Sequence, residues 1–333
     1  MNVTMAFRGG LGRVRRAPAL VAGVWLSTLA LALGPAIVLR AQLEAHLGAS
    51  LMAETATSGV NFDWWNEFLA QASGIGQTFV PAILGFAAVL DNLSRLADHR
   101  ALPPVLAVLV TVQLLLSRFI AGGLLDRLAR DRTVGAAAFF SACGVWMGRF
   151  LRLALFVGPV YVFLFLHVHH WLFDDVWERL THDVSVERQA FAIRLALYAV
   201  FTAMVCAVNV LVDYAKIRAV VEDRRSMIGA LVAAWRFVVR HPAKTLALYV
   251  LNLLLAAFVA AVYLLLAPGA SAPLLGFAVG QLYIVLRVIV RLQFMASQTA
   301  LFQSELAHAG YVAKPVPKWP DSPAADAIEL LRS

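Results

Sequence analysis

Charge is scarce in this chain. Only 14% of its 333 residues are charged, 61% are hydrophobic, and the mean hydropathy is +0.76. A soluble helical protein of this length would need far more polar surface, so a soluble fold is excluded. Cysteine is nearly absent too. Cys143 and Cys206 are the only two, without C-x-x-C or zinc spacing, so neither a disulfide framework nor a cysteine-built metal site is expected. Both read as packing residues. Lysine occurs only at positions 216, 244, 314 and 318, leaving arginine to carry nearly all the positive charge. Few acids fall inside apolar runs, which weighs against an ion-coupled pump. The phosphate-binding loop, the nucleophile elbow, H-E-x-x-H and the dinucleotide fingerprint are all missing. No cofactor is expected, and a non-enzymatic role comes first.

Long apolar runs are what the chain has instead. A hydrocarbon core about 30 Å thick takes roughly 20 mostly apolar residues per helix. Six segments meet that length: 18–39, 103–124, 150–173, 189–212, 245–267 and 273–294. The fold class is therefore all-α, a polytopic transmembrane helix bundle of about six spans. Residues 1–16 carry Arg8, Arg13, Arg15 and Arg16 ahead of the first run. That run is too long for a signal-peptide core and has no clear small-residue cleavage site, so it reads as an uncleaved signal anchor behind a basic tail.

The loops set the expected orientation. Residues 126–132 and 213–244 are rich in Arg and Lys, while the loop between them carries Asp174, Asp175, Glu178, Asp183 and Glu187. Basic loops stay in the cytoplasm. Both termini are then cytoplasmic, and the expected location is the bacterial cytoplasmic (inner) membrane. The net charge of +8 sits beside spans, so it points to membrane surface and away from nucleic acid. Residues 40–90 form an outer insertion: 40–68 reads as amphipathic surface helix. Gly74, Gly76, Pro81 and Gly85 break 72–90 into a re-entrant or interfacial segment. Residues 307–333 read as a cytoplasmic tail.

Two stretches look like copies of one unit. Asp126-Arg-Leu-Ala-Arg and Asp213-Tyr-Ala-Lys each leave a span, and an amphipathic cytoplasmic elbow helix follows in each, at 134–147 and 227–239. A new span then begins. Parallel repeats of this kind are one way to build a membrane fold.

The second elbow carries a resemblance. Asp213 to Arg225, then ALVAAWRFVVR at 230–240, resembles the bacterial polytopic proteins related to the glycerophosphodiester phosphodiesterase membrane domain. Ala296 to Leu306 is similar to that group's closing helix, with Phe302 at the aromatic position, Ser304 where an acid is usual, and Glu305 one residue late. That domain is not itself catalytic, so the resemblance implies a fold without an activity. The whole chain is also similar to uncharacterised six-span bacterial membrane proteins.

Three groups could carry function. Arg287 and Arg291 share a helix face inside the last span, where ionisable residues suggest a site for a lipid phosphate or another anion. Snorkelling to the near surface is the plainer reading, and it is preferred for Arg118 and Arg194 at their span ends. The elbow cations Arg224, Arg225, Arg236 and Arg240 would face anionic headgroups. In an unbroken helix His167, His170, Asp174 and Glu178 would form one stripe that could hold a divalent metal at the outer face. Ordinary interfacial residues are the bland reading of that cluster. The chain thus reads as a membrane protein for transport, organisation or assembly, binding anionic lipid or partner proteins, with a metal-dependent protein or enzyme as the alternative. Membrane lipids are the expected partners, and self-association is left open.

Overall fold

A computed structural model describes residues 2–58, 61–81, 104–267 and 272–308, which are 89% helical and contain no strand. Without water to bind its amides, a spanning segment must satisfy its backbone internally, and the helix does so. Ten helices carry the described fold. They are α1 (Val3–Arg15), α2 (Pro18–Ala49), α3 (Ala53–Ser58), α4 (Phe62–Gln71), α5 (Pro104–Arg130), α6 (Ala136–Thr181), α7 (Glu187–Val221), α8 (Met227–Arg240), α9 (Pro242–Leu266) and α10 (Pro273–His308). Six of them, α2, α5, α6, α7, α9 and α10, are long and apolar enough to cross a membrane. The chain is an integral membrane protein built as an all-α polytopic bundle.

The last helix organises the bundle, packing against α1, α2, α5, α7 and α9. The most extensive packing is against α1. Ala6, Gly10 and Val14 line the buried side of that short helix at i, i+4 and i+8. A Cβ on Gly10 would lie 2.6 Å from the Ser297 backbone nitrogen, so only glycine fits there. Buried and half-buried amides cross-tie the same end. Gln293 donates to the Phe7 carbonyl at 2.8 Å, Gln303 to Ala129 at 2.9 Å, and Asn252 to the Ser297 hydroxyl at 3.1 Å. Arg13 donates to the Leu128 carbonyl at 3.1 Å and to Gln303 Oε1 at 2.8 Å. Burial pushes its guanidinium below the ordinary arginine value, and nearby Asp131 opposes that shift.

The core is concentrated at this one end, where both basic turns lie. Tyr214, Ile217, Ala230, Ala234, Leu301 and Phe302 are buried there. Along the spans, large side chains such as Leu155, Phe191, Leu254, Phe258 and Phe277 face outward. In lipid such outward apolar side chains are at rest, because tails are as apolar as Leu.

Several boundaries differ from those read in the sequence. The basic stretch before the first span is helical, with Asn2 capping α1 through its side chain at 2.7 Å from the Val3 amide. The first and last spans extend well past 39 and 294, to Ala49 and His308. The expected surface helix at 40–68 is divided among the end of α2, α3 and α4. Gly74–Thr78 forms a 3-10 turn held by Gln42, which donates to the Ser73 carbonyl at 3.1 Å. The rest of that insertion from 82 lies outside the described residues, as does the tail from 309.

The two repeat units share a turn. Each first span ends at an aspartate in the left-handed region, Asp131 and Asp223, both at φ 48°. Asp tolerates this conformation better than most residues, and a helix end often requires it. Each carboxylate accepts a distant arginine: Arg16 at 2.5 Å for Asp131, Arg149 at 2.7 Å for Asp223. The elbows then diverge. The second is a separate amphipathic helix, α8, which stops before Pro242 at the start of α9. The first is continuous with the following span, as the leading part of the 46-residue α6.

Candidate functional site

Three stripes meet between α7, α9 and α10. On α7, Asn209, Asp213 and Lys216 fall at i, i+4 and i+7, one helical face. On α10, Tyr283, Arg287, Val290, Arg291 and Phe294 form another. Tyr249 and the smaller Ala256, Val259 and Ala260 make up the α9 side. Together they line a cleft of 420 Å³, within the roughly 300–1,000 Å³ common for small-molecule sites. From Tyr283 to Met295 it follows α10 for about 18 Å by helical rise. Its character changes across its width: aliphatic on α9 beyond Tyr249, cationic on α10, and an Asp213–Lys216 pair beside Asn209 on α7.

The polar groups are individually placed. Lys216 Nζ lies 3.1 Å from Asp213 Oδ1. Tyr161, on α6, donates to Asn209 Oδ1 at 2.5 Å. Arg287 stands over the Tyr283 ring at 5.6 Å, and that ring stacks on Tyr263 at 4.3 Å. Tyr249 meets Phe294 edge-on at 5.4 Å. Arg291 makes no hydrogen bond or ion pair among the described residues, and it shares the cleft wall with Arg287, Asp213 and Lys216.

The sequence-derived candidates separate into different places. Arg287 and Arg291 line the cleft. Arg224 is committed to Glu222, which also takes Arg218 at 2.9 Å. Arg225, Arg236 and Arg240 are exposed on the elbow and its approach. On α8 the buried residues Met227, Ala230, Ala234 and Phe237 face the bundle, while Ile228, Val232, Trp235 and Val239 form an exposed apolar stripe. That pattern suits a helix lying in an interface beside basic residues.

The histidine cluster is rearranged by its backbone. Leu164–Val168 and Trp171–Val176 are π-helical, with i→i+5 bonding, so the straight-helix stripe does not persist. His170 pairs with Asp174, His167 stacks on Phe163 at 5.5 Å, and His169 packs against Phe173 and Phe201. Among the described residues no group of three or more His, Cys, Asp or Glu could hold a metal ion.

A second cavity of 340 Å³ lies between the end of α2 and α4, lined by Gln42, His46, Glu67 and Phe68 among others. It has no arginine or lysine in its wall. The site residues missed in the sequence are Tyr161, Asn209, Asp213, Lys216 and Tyr249. The available signal was the i, i+4, i+7 spacing of Asn209, Asp213 and Lys216 at the close of a span. A scan against protein-family models and searches of curated proteins and of solved structures found no match to this chain.

Proposed function

We propose that this protein is a non-enzymatic membrane protein that binds an anionic amphiphile in the cleft between α7, α9 and α10. The headgroup would lie against Arg287, Arg291 and Lys216, and an acyl chain along Ala256, Val259 and Ala260. The observation that carries this reading is one cavity joining an aliphatic wall to a cationic one within spanning helices. Arginine in a span is costly, by about 2.5–3.5 kcal/mol on insertion scales, and an anionic ligand offsets that cost. The basic end would face the cytoplasm of a bacterial inner membrane, following the distribution of Arg and Lys. There the exposed stripe of α8 and Arg225, Arg236 and Arg240 would rest on anionic headgroups, at about 1 kcal/mol per basic residue. Such a protein organises or moves membrane lipid.

Native mass spectrometry of the full chain in mild detergent tests this. Supplied with equal phosphatidylglycerol and phosphatidylcholine, the protein should retain phosphatidylglycerol selectively, and an Arg287→Gln/Arg291→Gln double variant should lose that selectivity. Equal retention of the two lipids by the wild-type protein contradicts the reading.

A further inference from the structure

The cleft's donors and acceptors are unequally divided, and the imbalance narrows the headgroup. Asn209 accepts the Tyr161 hydroxyl on its Oδ1, so what the amide has left is an N–H₂ group, a donor. The carboxylate of Asp213 is engaged by Lys216. Arg291 presents up to five N–H donors with no acceptor committed to them among the described residues. The polar side of the cleft is thus rich in donors and sets three cations, Arg287, Arg291 and Lys216, against the one carboxylate of Asp213.

Resting on the anionic-amphiphile reading above, we infer that the cleft is selective for a terminal phosphate, a phosphomonoester headgroup, over phosphodiester headgroups. A phosphodiester brings one negative charge, which leaves the cation excess of the cleft only partly compensated. A phosphomonoester brings about −1.5 to −2 charges near neutral pH and three terminal oxygens that only accept or nearly so. Those oxygens match the Arg291 fork, the Asn209 amide and the Lys216 ammonium. The two guanidiniums of the cleft wall, Arg287 and Arg291, stand about one helical turn apart on α10, and a near-dianion compensates both where a monoanion compensates one. Arginine's planar fork suits the task, since it engages phosphate through two parallel N–H···O bonds. A lipid phosphomonoester and free inorganic phosphate share this chemistry, and the aliphatic α9 wall favours the lipid.

The test uses the full chain in mild detergent, with dioleoyl phosphatidate and dioleoyl phosphatidylglycerol competing at equal concentration, read by native mass spectrometry. Phosphatidate should be retained about tenfold better, a difference of about 1.4 kcal/mol. Arg291→Gln and Asn209→Leu should each reduce that preference while eluting from size exclusion as the wild type does. Arg40→Gln, at an exposed pair with Glu44 far from the cleft, serves as the matched control and should keep it. Millimolar inorganic phosphate then separates the sources: failure to displace phosphatidate assigns the site to lipid, and displacement assigns it to phosphate itself, either of which sustains the terminal-phosphate assignment. Equal retention of the two lipids by the wild type overturns this inference and leaves the anionic-amphiphile reading standing. Retention of neither overturns both.

Discussion

In α5–α6 and in α7–α8–α9 a span ends at an aspartate with φ 48°, an arginine from elsewhere neutralises that aspartate, and an amphipathic run follows. From that shared start the two units reach opposite results. In the first, α5 lies flat on α6. A Cβ on Gly122 would fall 2.6 Å from Trp146 Cβ, and one on Gly123 would fall 2.5 Å from Cys143 Sγ. No space remains between those helices. In the second unit His241 leaves helical geometry at φ −128°, Pro242 begins a new helix, and α9 borders an open cleft of 420 Å³. Small residues are present in both. In the closed pair glycines meet bulky partners across the contact, whereas Ala256 and Ala260 of α9 share the wall of an unfilled cleft with Arg287 and Arg291 of α10. A span, a basic turn and an amphipathic run therefore make either a structural hairpin or a ligand cleft. What decides is whether the small residues of one helix meet a filling side chain on the next.

The largest expected effect comes from breaking the closed unit. Gly123→Leu should cost about 3 kcal/mol or more, because overpacking at a backbone-close site has no room to relax. Gly280→Leu, on the α10 segment nearest Tyr263, meets nothing closer than Tyr263 Oη at 3.9 Å from its Cβ. Its cost should stay under about 1 kcal/mol. Thermal unfolding of both variants in one detergent compares them directly.

Next in size is Arg291→Gln. Anionic-lipid affinity should fall about tenfold, or about 1.4 kcal/mol. The same substitution should leave thermal stability in lipid-free detergent within about 0.5 kcal/mol, since the side chain holds no partner among the described residues. Arg149→Gln gives the mirror result. It breaks the ion pair to Asp223 and the 3.1 Å bond to the Arg224 carbonyl, so it should lower stability and leave lipid affinity unchanged. A smaller change, about 0.4–1 kcal/mol in stability, is expected for Pro242→Ala through greater freedom of the unfolded chain. The smallest should be Asp131→Gly and Asp223→Gly. Glycine relieves about 1 kcal/mol of left-handed strain, while each loses an exposed ion pair of about 0.2–1 kcal/mol. Near-zero changes at both turns would confirm that the units share this element, and a large change at one alone would separate them.

Much of this architecture was legible in the residues because membrane length is a strict constraint. Six apolar runs became six spanning helices. Arg287 and Arg291 stood out because charge inside an apolar run is rare. The remainder of the cleft was hidden for a physical reason. Asn209, Asp213 and Lys216 lie near the end of their run, where polar residues are ordinary, and only packing shows that they line a cleft with the last helix. Helix α1 was equally hard to see. Its buried stripe of Ala6, Gly10 and Val14 is short and small, and its arginines suggest a solvated tail. The histidine stripe failed for a different cause: two π-helical stretches change the residues per turn, which periodicity arguments hold constant.

The central claim is that the cleft of the second unit, and not the lipid-facing surface at large, holds the anionic amphiphile. The most direct test is photocrosslinking with a phosphatidate carrying a photoactivatable acyl chain, followed by peptide mapping. Labelling concentrated on Ala256–Ala260 of α9 and Val290–Met295 of α10, and removed by excess unlabelled phosphatidate, is the predicted result. Labelling spread evenly over outward residues such as Leu155, Phe156 and Phe191, with no competition by the unlabelled lipid, would contradict it.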